Sequence, residues 1–226
     1  YYGVGNEYEG VTIASAVFAL AVLLNYKKIS KWLAVVLSLV ILITSAMPSM
    51  GANVGGAISE CVAYLLFILL IFDVKLDLKK IIMIGVATVL VVVAFAGLDF
   101  LMGTESHLAV FTNQIIQEGP AAIFNTFGRK IQMNLKLAKS SVWVNILIVS
   151  IIIIGALIFK PSGYFKKIHD KYPMIFKGFM ASFVGCIVTL LVNDSGIVAA
   201  STAAIYILIP IIIIGINMII FDKEID

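Results

Sequence analysis

The chain has 226 residues and a formal net charge of +3, with 62% of its positions hydrophobic and only 13% charged, far from the roughly half-apolar usage of soluble domains. That composition excludes a soluble globular domain and identifies an integral membrane protein. It also argues against nucleic acid as a partner, because most of the Lys residues behind the net charge punctuate apolar runs, as the loops beside membrane spans do.

The chain opens on Tyr1 with no charged region ahead of a short apolar one, which is not a signal-peptide start. It reads as a piece of a longer protein whose upstream domain is missing. Apolar stretches of about 17 to 25 residues are span candidates. Seven occur, at 10–26, 32–48, 57–74, 81–98, 142–159, 174–192 and 197–221. The expected fold class is therefore all-α: one polytopic transmembrane helix bundle covering residues 1–226. Cys61 and Cys186 fall inside apolar runs, where a free Cys behaves as a small hydrophobe.

Orientation follows from the connections, since Lys and Arg are retained on the cytoplasmic side. YKKISK holds Lys27, Lys28 and Lys31; KLDLKK holds Lys75, Lys79 and Lys80; KPSGYFKKIHDKYP holds Lys160, Lys166, Lys167 and Lys171. These alternate connections are expected inside, which puts the N-terminus outside and the C-terminus in the cytoplasm. Outside also fall the tract 48–56, the NDSG turn at 193–196, and the extracytoplasmic segment 99–141 between spans four and five. Within that segment Gly119 and Pro120 suit a helix start. After them Ile123, Phe124, Phe127, Ile131, Leu135 and Ala138 recur at three- or four-residue spacing, with Arg129, Lys130, Asn134 and Lys136 largely on the other side. The pattern predicts an amphipathic outer-face helix, either lying in the membrane interface with its cations near lipid phosphates or packed across the tops of the spans.

Asp194 is the one charge between Gly178 and Phe221. A turn between two spans accommodates it, and Asn, Asp, Ser and Gly are turn formers and helix caps, so one reading has Asp194 or Ser195 capping the last span. The other reading rests on the company it keeps on the outer side: Asn6, Glu7 and Glu9 before the first span, Asn53 in GANVGG, Glu60 about one turn into the third span, then Asp99, Glu105 and His107 after the fourth. Glu60 stands out, because an ionisable side chain within a span is a functional candidate by default; its bland reading is a pair with Arg129 or Lys130. Glu60, His107 and Asp194 are the candidate catalytic residues and are expected to converge. Arg129, Lys130, Asn134, Asn193, Ser195, Asn6 and Glu7 are the candidate substrate-binding residues. His107 with outer carboxylates makes a divalent metal a conceivable cofactor, though no HExxH or CxxC spacing accompanies it. The inner Asp73, Asp77 and Asp170 stand among lysines like ordinary solvated charge, and His169 reads as solvent-facing. The glycines of GANVGG admit a segment that bends into the bilayer or a plain turn with close helix packing.

Taken in order, YYGVGNE at 1–7, GANVGG at 51–56, SHLAVF at 106–111, RKIQMN at 129–134 and NDSG at 193–196 resemble the C-terminal multi-spanning portion of large, poorly characterised membrane proteins of Gram-positive bacteria, some of them labelled alkaline-phosphatase-like. The chain departs from that pattern at Ala109, where a Gly is expected, and at Asn53, where an acid is expected. The resemblance implies no established reaction.

The expected function is that of a bacterial cell-envelope protein with an outward-facing polar pocket acting on an anionic lipid-linked phosphate or glycan. Arg129 and Lys130 would clamp phosphate, and Glu60, Asp194 or His107 would serve as acid, base or metal ligand. The alternatives are a transporter or flippase with Glu60 and Asp194 as ion or proton sites, and a membrane anchor for a missing soluble domain.

Overall fold

A computed structural model describes residues 3–47, 49–102, 114, 116–119, 121–160 and 163–221. Among them it contains helices and no strand. The helices are α1 (Asn6–Asn25), α2 (Lys31–Ala46), α3 (Val54–Ile71), α4 (Leu78–Met102), α5 (Ala121–Ser140), α6 (Trp143–Phe159), α7 (Tyr164–Lys171), α8 (Pro173–Val192) and α9 (Gly196–Phe221). Every expected span is a helix. Five of them (α1, α3, α4, α8 and α9) are long and apolar enough to cross a membrane. The fifth expected span, α6, passes only together with α5, from which it is bent by 100°, which gives up to six. With 16 residues, α2 rises about 24 Å at 1.5 Å per residue, short of a hydrocarbon core of about 30 Å.

Local chemistry sets the helix ends. The Ser30 side chain accepts from Leu33 N–H at 3.1 Å to open α2, and Asn53 accepts from Gly56 N–H at 2.7 Å to open α3. Asp77 accepts from Lys80 N–H at 2.8 Å at the start of α4, and Pro173 takes the first position of α8, where its missing N–H costs nothing. Helices α1 and α3 finish alike: Lys27 and Asp73 take left-handed backbone (φ 55° and 59°), and the next residue's N–H closes back on Leu23 and Leu69, the six-to-one closure of a helix C-terminus.

α1 lies at the centre, packed on α8, α9 and α3. Its inward stripe of Ile13, Val17 and Ala21 meets Ala63 and Phe67 of α3 and Ala181 of α8 in a fully buried core. Small residues let the helices close up, as at membrane helix contacts generally. A Cβ on Gly10 would stand 2.0 Å from the Ala199 carbonyl oxygen of α9, and one on Gly55 would stand 2.2 Å from Asn193 Oδ1. The outer walls of α2, α4, α6 and α9 expose large aliphatic side chains such as Val40, Leu90, Ile152 and Ile213. On a soluble protein such patches mark an interface or an aggregation site; here lipid is their solvent.

Antiparallel packing gives the bundle two unlike ends. At one, the starts of α1, α3, α6 and α9 meet the ends of α2 and α8. At the other, Lys31 and Lys177 converge on Asp73 at 3.5 and 2.5 Å, and Met174 N–H donates to Asn25. The Lys-rich connections expected to share one side do lead away from this second end.

Candidate functional site

The polar groups converge at the first end, around an acid that sequence reasoning named but did not select. Glu9 is fully buried. Asn193 Nδ2 donates to both its oxygens, at 2.8 and 2.9 Å, Asn53 Nδ2 donates to Oε2 at 3.2 Å, and the Thr189 hydroxyl donates to Oε1. Thr189 Oγ1 lies 2.9 Å from Ser59 Oγ, and the Ser59 hydroxyl reaches the Gly55 carbonyl at 2.9 Å. The end of α8 and the start of α3 thus supply one carboxylate at the start of α1 with neutral donors.

The approach of these ends is built into the backbone. GANVGG forms a turn that folds back on α2 and does not enter the bundle as a separate segment: Gly51 N–H donates to Thr44 at 2.9 Å and Asn53 N–H to Ser45 at 3.2 Å. The chain ahead of α1 joins it, with Val4 N–H donating to the Gly51 carbonyl at 2.8 Å and Asn53 Nδ2 donating to the Val4 carbonyl at 2.9 Å. Ala52 is held there at φ 49°, a left-handed conformation that non-glycine residues seldom adopt.

Glu60 lies next to this network, also 0% exposed. Its Oε1 accepts from the Ser45 hydroxyl at 2.9 Å, while Oε2 has no partner. One turn further along α3 the buried Tyr64 hydroxyl is likewise without a partner. The bland reading of Glu60, a pair with Arg129 or Lys130, is not seen among the described contacts; its hydrogen-bond partner is the Ser45 hydroxyl, and Glu9 lies nearby. Among the described residues neither Glu9 nor Glu60 has a cationic partner. Below them the core is apolar, with Ile13, Val17 and Phe67 fully buried, so the polar cluster is closed toward the other end.

Above the cluster, α5 fastens the turn between α8 and α9. The Lys130 ammonium donates to the Val192 carbonyl at 2.6 Å and stands 3.8 Å from Asp194 Oδ1, placing a cation where the last carbonyls of α8 carry partial negative charge. Asn134 works on both helices: Nδ2 donates to the Asn193 carbonyl at 2.8 Å, and Oδ1 accepts from Ile197 N–H at 3.1 Å in the first turn of α9. The cap expected from Asp194 or Ser195 is therefore supplied from another helix. Ser195 instead accepts from Asn6 Nδ2 at 3.1 Å.

Of the expected catalytic set, no described contact joins Asp194 to Glu60: Asp194 is 45% exposed and paired with Lys130. His107 and Glu105 lie outside the described residues, as does the Asp99 side chain. Asn193 is drawn into the Glu9 network, Glu7 and Arg129 face outward, and the Glu7 carbonyl accepts from Thr202 at 3.0 Å. Among the described residues no three His, Cys, Asp or Glu side chains are grouped as a metal requires.

Comparison with protein-family models, curated proteins and solved structures finds no match. The site therefore rests on its own geometry. Sequence reasoning passed over Glu9 because it shares a short acidic tract with Glu7. In the structure helical phase separates them: Glu9 lies four residues before Ile13 and eight before Val17, in line with the buried stripe of α1.

Proposed function

We propose that the chain is the membrane portion of a bacterial cell-envelope protein that crosses the bilayer seven times, N-terminus outside and C-terminus cytoplasmic, and engages an anionic lipid-linked phosphate or glycan at its outer end. The orientation is supported by the Lys-rich connections, which fall at the end away from Glu9 and Glu60. The short helices α2 and α6 complete the seven crossings, since local bilayer thinning accommodates such spans at modest cost.

The observation that carries the substrate reading is the division of α5 into three lanes. One lane, Lys130 and Asn134, grips the bundle. A second, Phe124, Phe127, Ile131 and Leu135, is exposed and apolar. A third, Arg129, Lys136 and Lys139, is exposed and basic. A helix with a bundle on one flank, an apolar lane and a cationic lane, bent by 100° from the span that follows, suits the membrane interface. A groove of about 200 Å³ runs between Ile131, Leu135 and Ala138 of α5 and Leu190, Leu191 and Ile197. That is smaller than the roughly 300 to 1,000 Å³ of whole-ligand pockets and suits one hydrocarbon chain, with its phosphate near Arg129 and Lys136.

A carrier or flippase is favoured over a transferase by the sealing of Glu9 and Glu60. A catalytic acid or base must come within hydrogen-bond reach of the reacting atom, whereas an ion-coupling carboxylate works from inside the bundle.

Reconstitution with phosphatidylglycerol and phosphatidylcholine, followed by native mass spectrometry, tests the substrate reading. Phosphatidylglycerol should be retained preferentially, and the Arg129→Gln, Lys136→Gln double variant should lose that preference; equal retention by parent and variant rejects it. Single cysteines at Asn125 and Gln132 should react with an impermeant thiol reagent in intact cells and one at Ser30 should not, the native Cys61 and Cys186 being buried. Labelling at position 30 alone reverses the orientation.

A further inference from the structure

We propose that Glu9 and Glu60 together hold one exchangeable proton, carried by Glu60, while Glu9 remains the carboxylate. The inference deepens the carrier reading by naming its ion, and its test requires no transport.

Two features of the pair lead there. The first is charge. Both acids are 0% exposed, and the described groups that meet Glu60 are the Ser45 hydroxyl of α2 and, among titratable side chains, Glu9 of α1 and Tyr64 of its own helix. The nearest described cation on α8, Lys177, is at the opposite end on Asp73. Two like charges in an apolar interior with no counter-ion carry a desolvation cost of several kcal/mol per ion, so the pair keeps one negative charge.

The second feature is the unequal distribution of donors, which says where the charge stays. Glu9 is met by two amide nitrogens and a hydroxyl, and an amide nitrogen can only donate. The Asn53 amide cannot turn over to offer its oxygen, because Oδ1 is committed to Gly56 N–H at 2.7 Å and Nδ2 to the Val4 carbonyl at 2.9 Å. An acceptor-only group, the ionised carboxylate, fits Glu9. Glu60 has a single donor, Ser45, and a bare Oε2, with the unpartnered Tyr64 hydroxyl one turn away on the same face of α3. A phenol both donates and accepts, so a modest side-chain rotation lets it accept from the Glu60 O–H or, after the proton leaves, donate to the carboxylate. Both protonation states find a partner at Glu60, whereas at Glu9 the three amide hydrogen bonds from Asn193 and Asn53 favour the ionised state, the Thr189 hydroxyl being the one neighbour able to accept as well as donate. The proton enters and leaves as H⁺ exchanged with water, with no other bond made or broken.

The test is infrared spectroscopy of the full chain in lipid at neutral pH, with thermal unfolding alongside. A protonated-carboxyl C=O band should be present, should shift in D₂O, and should be lost in Glu60→Gln, which should unfold at the parent temperature because Gln copies the neutral acid. Glu9→Gln, which turns an NH₂ toward the NH₂ groups of Asn193 and Asn53, should unfold earlier or fail to fold. Absence of the band from the parent protein, or its survival in Glu60→Gln, would falsify the assignment. Stabilisation by Na⁺ at fixed pH, lost in Glu60→Gln, would overturn it in favour of a metal cation.

Discussion

The two ends of the bundle solve the same problem, how to hold an acid at a helix junction, in opposite ways. At the basic end Asp73 is exposed, and Lys177 and Lys31 come to it from α8 and α2. At the polar end Glu9 and Glu60 are buried and, among the described residues, are met by amides and hydroxyls. Water screens the first arrangement, so it needs only nearby opposite charge and contributes little. The second has no water to fall back on, so each donor counts and the loss of one is felt. The difference marks the polar end as the place where charge is costly, and costly charge inside a membrane is a sign of function.

The largest effect should come from stripping the donors of Glu9. Asn193→Leu keeps the approximate volume and removes the amide that serves both carboxylate oxygens. Breaking a buried charged arrangement from one side costs about 3 to 5 kcal/mol, and loss of that order is expected in detergent unfolding, partly recovered when Glu9→Leu is added because the uncompensated charge is then gone. An Asn193→Leu protein as stable as the parent would show that Glu9 is already neutral.

Much of this was legible in the sequence. The span positions follow from apolar runs broken by lysines, and the NDSG turn from a cluster of turn formers too short for anything else. Glu60 announced itself by interrupting an apolar run. What could not be read was which way helices face. In α1 nearly every residue after Glu9 is apolar or small, so no contrast in hydropathy reveals that the stripe through Ile13 and Val17 points inward and carries Glu9 with it. The amphipathic pattern of α5 was visible, but its sense was not: in water the apolar lane would pack inward, whereas here Lys130 and Asn134 face the bundle because the groups left over at the α8 and α9 ends are polar. Asn134 as a cap for α9 was beyond reach, since the cap and the helix it serves are 63 residues apart.

That clip offers an intermediate test. Asn134→Ala removes both the acceptor for Ile197 N–H and the donor to the Asn193 carbonyl, and loss of a cap costs about 0.5 to 2 kcal/mol. Asp194→Ala should cost less, because Asp194 is half-exposed and meets Lys130 only at 3.8 Å. If the order is reversed, Asp194 is the group that holds the turn and α5 merely rests on it.

The smallest effect belongs to the basic end, and it should be distinguished by pH. The hydrogen bond and charge of Lys177, with Lys31 behind them, hold the Asp73 carboxyl below the usual carboxylate range. A carboxylate lowered in the folded state contributes stability that is present above its unfolded pKa and lost as the pH falls through the folded one. Asp73→Asn should therefore differ slightly from the parent at neutral pH and converge with it in acid. Because the group is open to water, the difference should also shrink as salt is raised. Unfolding temperatures of the two proteins across the acidic range, at low and high salt, check this. A deficit that persists unchanged in acid would mean that the left-handed backbone at Asp73, and not its charge, is what the substitution disturbs.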